Sequence, residues 1–343
     1  MIGSMQTSMN AAHGGPRNHI VIVDCDHNSI DQEQEVAAAA GIPVTRAFCR
    51  SEEDVIEAAA SASGIIVQYA PITRRVIESL PKLRVIGRYG VGVDTVDVEA
   101  ATEHGVAVCN VPDYGTEDVS DHAIALITDA CRSVSTYDRA IREGNYSYDA
   151  GAPLHRFSAL QVGVVGAGLI GRATARKARG LGYSVVASDP TFNVGDVVDG
   201  IPIVSLDELL GTSDVVSLHV PLNPATEHLI NGAALAKMKS EAVLVNTCRG
   251  GVVATADLVE ALERRDIRGA ALDVFEEEPI GPEHPLAKSA HTVLTPHVAW
   301  YSEESFIELK TRITQNVVSA LNGEHVNVVN GWSLTHERLA TSA

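Results

Sequence analysis

The sequence has few aromatic residues and few cations. Aromatic side chains make up 4% of the 343 residues, so aliphatic side chains must build most of any core. Lys and Arg number 26 against 44 Asp and Glu, which gives a formal net charge of −18 at pH 7. Because nucleic acids and anionic membranes are bound through basic surfaces, direct binding to either is not expected. A small anionic molecule is still compatible with this charge, since a few cations can dominate a pocket.

The chain also lacks the cysteine patterns of a disulfide framework or a structural zinc site. It has 5 cysteines, an odd number, and no pair has CxxC spacing. The first residues, MIGSMQTSMNAAHGGPRN, do not have the basic segment and apolar core of a secretory signal, and no apolar run has membrane-spanning length. We therefore expect a cytoplasmic protein without a metal site, with flexible ends at residues 1–17 and 332–343.

What is present is an alternation of short β-branched runs and longer alanine-rich stretches. In the first third of the chain, strands are predicted near residues 19–23, 64–67, 83–87 and 107–110. From residue 161 onward, six more are predicted near residues 162–165, 184–188, 215–219, 243–246, 269–272 and 292–294. Long helices are predicted over 117–141 and 303–322. This alternation predicts an α/β fold with parallel sheets covered on both faces.

The stretch VGVVGAGLIG has the form of a dinucleotide-binding turn between a strand and a helix. Gly166 permits the tight turn, Gly168 leaves room for phosphates, and Gly171 lets the helix pack on the sheet. The next strand ends in Asp189, whose carboxylate suits the ribose hydroxyls and repels a 2′-phosphate. NAD is therefore expected rather than NADP. The alternative interpretation is a glycine turn made for packing alone.

Three reactive side chains follow predicted strands of the second series. They are Arg249 in VNTCRGG, Glu278 in ALDVFEEEP and His297 in TPHVAW. Ligands of open α/β sheets gather at the carboxyl ends of strands, so we expect these side chains to lie close together. A guanidinium fork suits a carboxylate, and a histidine oriented by a carboxylate can donate a proton to a ketone oxygen. The set suits reduction of a 2-keto acid, although each residue could instead serve packing or capping.

As a set, the motifs resemble the D-isomer-specific 2-hydroxyacid dehydrogenases. They run from about residue 19 to 329: GRYGVGVDTVD, GAGLIG with SDP, HVPLNPATEHLI, VNTCRGG, AALDVFEEEP and TPHVAW. The resemblance implies that Arg249 orients the substrate, that His297 is the acid/base, and that Glu278 is its partner. It implies substrate contacts at Arg88, Val91, Gly92, Arg249 and Trp300. It implies NAD contacts at Gly166, Gly168, Leu169, Ile170, Gly171, Asp189, Val220, Pro221, Thr226, Thr247, Cys248, Arg249, Asp273 and His297.

The resemblance also implies a discontinuous arrangement of two doubly wound parallel-sheet domains. A Rossmann NAD-binding domain at residues 113–299 would be inserted in a flavodoxin-like substrate domain made of residues 18–112 and 300–331. Members of this family are commonly homodimers. The helix from Glu117 and the loop over 139–157 would contribute to the contact between subunits.

Within the family, AWYSEES after the histidine is similar to the C-terminal binding proteins, which are NAD(H)-binding transcriptional corepressors. By that similarity Trp300 would favour an apolar or thioether-bearing 2-keto acid; the alternative is that it packs at a hinge. The predicted function is an NAD-dependent D-2-hydroxyacid dehydrogenase or 2-keto acid reductase. The alternatives are an NADH-sensing, partner-recruiting protein with little turnover, and a phosphoglycerate dehydrogenase, although residues 67–73 lack the cation that a phosphate would need.

Overall fold

The structure, a computed structural model, describes residues 18–25, 27–324 and 326–331. The chain divides into two compact units. The first unit is Met1–Tyr114 with Phe306–Ala343, and the second unit is Gly115–Ser305. The ends at residues 1–17 and 332–343, which the sequence predicts to be flexible, lie outside the described residues.

The first unit contains a parallel five-stranded sheet. Its strands are β1 (Ile20–Ile22), β2 (Val44–Arg46), β3 (Gly64–Val67), β4 (Val85–Arg88) and β5 (Ala107–Cys109), in the spatial order β2-β1-β3-β4-β5. The helices between them are α1 (Asp31–Ala39), α2 (Glu52–Ala58), α3 (Arg74–Ser79) and α4 (Val98–Glu103). This is the flavodoxin-like strand order that the sequence predicts. The strand β2 was not predicted, because its sequence VTR contains a single apolar residue, Val44, and so gives no apolar run.

The second unit contains a parallel six-stranded sheet and a small antiparallel hairpin. Its helices are α5 (Thr116–Arg132), α6 (Val134–Arg142), α7 (Leu169–Gly180), α8 (Leu206–Thr212), α9 (Gly232–Leu235), α10 (Thr255–Arg264) and α11 (Pro285–Lys288). Its strands are β6 (Gln161–Val165), β7 (Ser184–Ser188), β8 (Val197–Val198), β9 (Ile201–Pro202), β10 (Val215–Leu218), β11 (Val243–Asn246), β12 (Gly269–Leu272) and β13 (Thr292–Leu294).

The order β13-β12-β11-β10-β6-β7 makes this sheet a Rossmann fold, so the predicted fold class is confirmed. The chain leaves β6 toward one edge and returns to its other side at β10, which puts the topological switch point between these two strands. Ligands of such sheets bind at the carboxyl ends of the strands beside the switch point. The glycine turn after β6 lies there.

One predicted helix is two helices in the structure. The pattern over residues 117–141 predicted a single helix, but the chain breaks at Ser133, which has φ 53° and ψ 35°. The carboxylate of Asp129 accepts hydrogen bonds from the Ser135 amide (2.8 Å) and hydroxyl (2.9 Å), and so it caps the start of α6. Because the cap comes from a side chain six residues earlier, the apolar spacing gave no sign of the break.

The final helix, α12 (Glu303–Leu321), packs against the first sheet from Phe306 onward. Two strand glycines allow its close approach. A Cβ at Gly87 would lie 2.5 Å from Val317 Cγ2, and one at Gly64 would lie 3.1 Å from Val317 Cγ1. None of the helices in the described part of the chain combines the length and apolar character needed to cross a bilayer.

A buried ion pair ties α12 to α1. Lys310 Nζ lies 3.4 Å from Glu33 Oε2, and the two side chains are 1% and 0% exposed. Lys310 also donates to the Ser29 carbonyl, and Glu33 accepts a 2.6 Å hydrogen bond from the Tyr89 hydroxyl. Such a pair contributes little over apolar packing while intact, but removal of one partner leaves a buried charge without compensation.

We therefore expect Lys310→Met to lower the free energy of unfolding by about 3–5 kcal/mol, since Glu33 would then be a buried carboxyl group without its ammonium partner. Urea unfolding followed by circular dichroism measures this. Lys237→Met is the control, because its partner Asp207 is largely exposed, and it should change stability little. Equal losses in the two variants would contradict the assigned importance of the buried pair.

Candidate active site

The glycine turn after β6 has two crowded glycines and one open one. A Cβ at Gly166, where φ is +97°, would lie 2.5 Å from the His219 carbonyl oxygen. A Cβ at Gly171 would lie 1.9 Å from the Gly166 carbonyl oxygen. These two glycines are therefore required by packing. A Cβ at Gly168 would meet nothing within 4 Å, so packing does not require that glycine and space is left beside it.

The start of α7 fits a phosphate group. Gly168 is the N-cap and makes no side-chain cap hydrogen bond, so the first-turn amides, which include those of Leu169 and Ile170, are not satisfied by a capping side chain. Amides at a helix N-terminus together with the helix dipole bind anions. The hydroxyl of Thr247, at the end of β11, is buried without a partner among the described residues. The residues of this region thus suit a dinucleotide.

Asp189 lies at the end of β7 and contacts the glycine turn. One carboxylate oxygen accepts from the Ala167 amide at 2.8 Å, and the other accepts from the Thr191 amide at 2.9 Å and the Thr191 hydroxyl at 2.6 Å. Burial alone would raise the pKa of Asp189, but these hydrogen bonds more than offset it and the pKa lies below its ordinary value. The side chain is therefore an anion at neutral pH, as repulsion of a 2′-phosphate requires.

The segment after β10 forms the opposite side of the switch point. The Thr226 hydroxyl closes a turn by donating to the Pro221 carbonyl at 2.5 Å, and Val220 Cγ1 lies 3.0 Å from the position of a Gly166 Cβ. Sequence reasoning missed His219, which precedes this turn. Burial lowers the pKa of His219 to about 4, so its ring is neutral, and the only hint in the sequence was its place directly after a strand.

Arg249 stands on a tight loop after β11. Asn246 fixes this loop, because its side chain accepts from the Cys248 amide at 3.0 Å and donates to the Arg249 carbonyl at 2.9 Å. Arg249 Nη1 donates to the Cys248 carbonyl at 2.8 Å. A Cβ at Gly250 would lie 1.8 Å from the Phe275 carbonyl carbon, so only glycine lets this loop meet the loop after β12.

His297 and Glu278 form a pair at this end of the sheet. Glu278 Oε2 lies 2.7 Å from His297 Nδ1, and Glu278 Oε1 accepts from the Phe275 amide at 2.9 Å. Partial burial would raise the pKa of Glu278, but the hydrogen bond and charge of His297, the Phe275 amide and the charge of Arg249 together lower it. The structure thus brings together Arg249, Glu278 and His297, the three reactive side chains identified from the sequence.

Asp273 holds the loop that carries His297. Its side chain is 0% exposed. Its oxygens accept from the amides of Val298 at 3.0 Å and Ala299 at 2.9 Å, and from the Thr295 hydroxyl at 2.5 Å. The His297 amide donates to the Asp273 carbonyl at 2.8 Å, and His297 itself has a positive φ of 54°. The sequence predicts an NAD contact for Asp273; its contacts in the structure fix the His297 backbone, and the NAD contact stays a prediction.

A second histidine supports Asp273 from behind, and sequence reasoning missed it. His122 Nε2 on α5 lies 3.0 Å from Thr295 Oγ1 and 3.5 Å from Asp273 Oδ1. Because the Thr295 hydroxyl donates to Asp273, it accepts from His122, whose proton is then on Nε2. The apolar spacing along this helix predicts which face packs on the sheet. It carries no information on a polar contact to Thr295, which follows β13.

The other predicted substrate residues are placed as follows. Trp300 donates from Nε1 to the His297 carbonyl at 3.0 Å, so it supports the histidine loop whether or not it lines a pocket. Arg88, Val91 and Gly92 belong to the first unit, at the end of β4 and in the loop after it. The Arg88 guanidinium lies over Gly90, where a Cβ would be 2.0 Å from Nη1.

A Rossmann sheet with this turn, an anionic side chain after β7 and a His–Glu pair at the strand ends define a nicotinamide-dependent oxidoreductase. The family model described as D-isomer specific 2-hydroxyacid dehydrogenase, NAD binding domain, matches residues 124–299. The chain belongs to this family. It is an NAD-dependent 2-hydroxyacid dehydrogenase, an oxidoreductase that acts on a CH–OH group.

Named relatives cover most of the chain. A glyoxylate reductase of Korarchaeum cryptofilum is 41% identical over 266 residues, which are 76% of this chain and 80% of that protein. A hydroxypyruvate reductase of Blautia hydrogenotrophica is 36% identical over 283 residues, 81% of this chain and 88% of that protein. The crystal structure of a glyoxylate reductase from Paecilomyes thermophila superposes with a TM-score of 0.82 at 31% identity, over 91% of this chain and 98% of that one.

We expect Asp189→Ala to weaken NADH binding and to reduce the preference for NADH over NADPH by about tenfold or more, because the ribose acceptor and the repulsion of a 2′-phosphate are both lost. Fluorescence titration with each cofactor measures the two dissociation constants. Asp196→Ala is the matched control, since Asp196 lies in the same loop and its carboxylate accepts from the Asn193 amide. An unchanged ratio in Asp189→Ala would refute the assigned role.

We expect Glu278→Gln to lower kcat/KM for keto-acid reduction by about tenfold or more, because a neutral amide no longer compensates the positive charge on the His297 ring as the ring donates its proton. The pKa of Glu278 is lowered, so the contribution of its carboxylate is present at neutral pH and is lost as the pH falls through that pKa. Steady-state rates at neutral pH measure kcat/KM, and a wild-type value in Glu278→Gln would contradict this role. Glu277→Gln, a neighbour in the same acidic run, should keep the wild-type kcat/KM.

Proposed function

We propose that the protein reduces small, unphosphorylated 2-keto acids to D-2-hydroxy acids with NADH. The observation that carries the proposal is the 2.7 Å contact between Glu278 and His297 at the strand ends of the Rossmann sheet, beside the loop of Arg249. A proton donor, its orienting carboxylate and a fixed cation are the groups that this reduction needs. When bound, NADH supplies the hydride.

In this proposal His297 acts through Nε2, since Nδ1 faces Glu278. The imidazolium donates its proton to the carbonyl oxygen as negative charge develops there, and the reverse reaction returns the proton to Nε2. Glu278 holds the ring in one orientation and stabilises its charged form. The loop that Asp273 ties down keeps Nε2 in a fixed position, and such preorganisation supplies much of the rate.

In the second unit, Arg249 is proposed to bind the carboxylate of the substrate. In the first unit, the backbone amides of Val91 and Gly92 are proposed as carboxylate donors. Arginine suits this role because its charge is permanent and its fork matches two carboxylate oxygens. Among the described residues, neither the Val91 amide nor the Gly92 amide donates a hydrogen bond. Arg88, whose guanidinium lies over Gly90, is assigned as a further cation for the same group.

The loop after β3 supports a substrate without a phosphate. Residues 67–73 contain no Lys or Arg. The amides of Gln68, Tyr69 and Ala70 donate to the carboxylate of Asp24 at 2.9, 2.7 and 3.0 Å, so an anion of the protein already occupies them. The two relatives named above are reductases of glyoxylate and hydroxypyruvate, which are small and carry no phosphate.

We also propose that the protein is a homodimer, because an apolar surface around α6 is exposed. The helix α6 has no buried residue, and Val134, Ile141, Tyr146 and Tyr148 around it are exposed apolar side chains. Contact with a second copy in a homodimer would cover such a surface.

A cytoplasmic location is proposed from the cysteines. All five cysteines are free, four of them buried, as suits a reducing cytoplasm rather than a compartment where disulfides form.

The test is NADH oxidation with glyoxylate, hydroxypyruvate, phosphohydroxypyruvate, 4-methylthio-2-oxobutyrate and 2-oxoisocaproate. We expect turnover of an unphosphorylated acid. His297→Ala and Arg249→Ala should each lower kcat/KM by about 100-fold or more, with nearly unchanged NADH affinity, because they remove the proton donor and the carboxylate fork.

His104→Ala is the matched control, since His104 Nδ1 binds the Ala100 carbonyl of its own helix, and this variant should keep full activity. Preferred turnover of phosphohydroxypyruvate would instead indicate a phosphoglycerate dehydrogenase. Tight NADH binding with negligible turnover on every acid would favour the partner-recruiting function that the similarity to the C-terminal binding proteins suggests.

A further inference from the structure

In the loop after β4, the carbonyl groups of Gly90 and Val91 are held by hydrogen bonds to residues 110–111. The Gly90 carbonyl accepts from the Val111 amide at 3.0 Å. The Val91 carbonyl accepts from Asn110 Nδ2 at 2.6 Å. Asn110 is itself held, because its carbonyl accepts from Asn316 Nδ2 on α12 at 2.9 Å. Both asparagine side chains are buried, so these hydrogen bonds are protected from water.

Because the peptide group is planar, the direction of each of these carbonyls fixes the direction of the amide that follows it. In a trans peptide the C=O and N–H point in opposite directions. Since the carbonyls of Gly90 and Val91 point toward residues 110–111, the amides of Val91 and Gly92 point the other way. Two successive amides on one side, neither of them bound to another described residue, form an anion-binding concavity.

A second anchor lies immediately before these peptides. The Tyr89 amide donates to the Val67 carbonyl at 2.9 Å, and its hydroxyl donates to Glu33 Oε1 at 2.6 Å. Burial and the charge of Glu33 raise the pKa of Tyr89, so the phenol keeps the proton that it donates. Because Glu33 is fixed by Lys310, the tyrosine is attached to the buried ion pair between α1 and α12.

We propose that Asn110 and Tyr89 are positioning residues for the substrate carboxylate. They touch no reacting atom. Asn110 sets the plane of the Val91–Gly92 peptide, and Tyr89 fixes where the loop begins, so that the two amides present a preformed pair of donors. The inference rests on the proposed function, in which these amides bind the carboxylate. Neither side chain follows from the family motifs as a ligand, since both point into the first unit's interior.

The alternative is that both residues only stabilise the fold, and a KM-against-kcat comparison separates the two. A donor pair that binds the carboxylate equally in the ground and transition states affects KM and not kcat. Loss of stability alone lowers the amount of active enzyme and leaves KM unchanged. The readout is therefore KM for the keto acid, beside kcat, the NADH dissociation constant and the melting temperature.

The variants are Asn110→Leu, which keeps the volume but removes the donor to Val91, and Tyr89→Phe, which removes only the hydroxyl. Asn330→Leu is the matched control. Asn330 makes backbone hydrogen bonds of the same kind in the same unit, to the Val106 carbonyl at 2.8 Å and from the Val108 amide at 2.9 Å. Among the described residues its side-chain hydrogen bonds go to residues 102, 106 and 108 and not to residues 88–92. All three are measured in the full chain with whichever acid of the panel the wild type reduces.

We expect Asn110→Leu to raise KM by about 10- to 100-fold, the loss typical of hydrogen bonds to a charged group, and Tyr89→Phe by about two- to tenfold. In both, kcat and NADH affinity should stay near wild type, and Asn330→Leu should keep the wild-type KM. If the wild type is active and Asn110→Leu has an unchanged KM, the inference is overturned and the proposed function stands. A KM that rises equally in Asn330→Leu would also overturn it. A wild type inactive on every acid would remove the proposed function and the inference together.

Discussion

The position of His297 depends on one buried carboxylate. Asp273 binds the Thr295 hydroxyl and the amides of Val298 and Ala299, and its carbonyl binds the His297 amide. Histidine at φ 54° is an unfavourable conformation that persists only where neighbours enforce it. The contact between His297 and Glu278, and with it the proposed acid/base chemistry, therefore depends on the Asp273 side chain, which solvent does not reach.

Acidic side chains hold loops in both units in a related way. In the first unit Asp24 collects three successive amides after β3, and in the second Asp189 collects amides of the glycine turn and of Thr191. Each lies at the carboxyl end of a parallel strand, where backbone amides leave the sheet without partners. Some of the acidic side chains that give the chain its negative charge thus accept hydrogen bonds from backbone amides. Their function is structural and is not limited to surface charge.

The sequence was most informative where a pattern is local. The six strands of the Rossmann sheet follow from short apolar runs, and Arg249, Glu278 and His297 lie three to six residues after three of these strands. The break of α5 at Ser133 and the strand β2 were not predicted, because a side-chain cap and a strand with one apolar residue leave no periodic signal. The support of His297 by Asp273 and His122 was beyond reach for another reason. Its partners are far apart in the chain. The parallel pairing of β12 with β13 brings Asp273 and Thr295 together, and the packing of α5 on β12 adds His122.

The hydrogen bond from Ala167 to Asp189 links two properties that are usually discussed apart. The carboxylate predicted to distinguish NAD from NADP also fixes the turn predicted to receive the phosphates. A lineage that changed this acid to gain NADPH would at the same time loosen its pyrophosphate loop. The route to a new cofactor preference therefore runs through residues such as Asn or Ser, which retain an acceptor for the Ala167 amide, and redesign of this enzyme should begin with them.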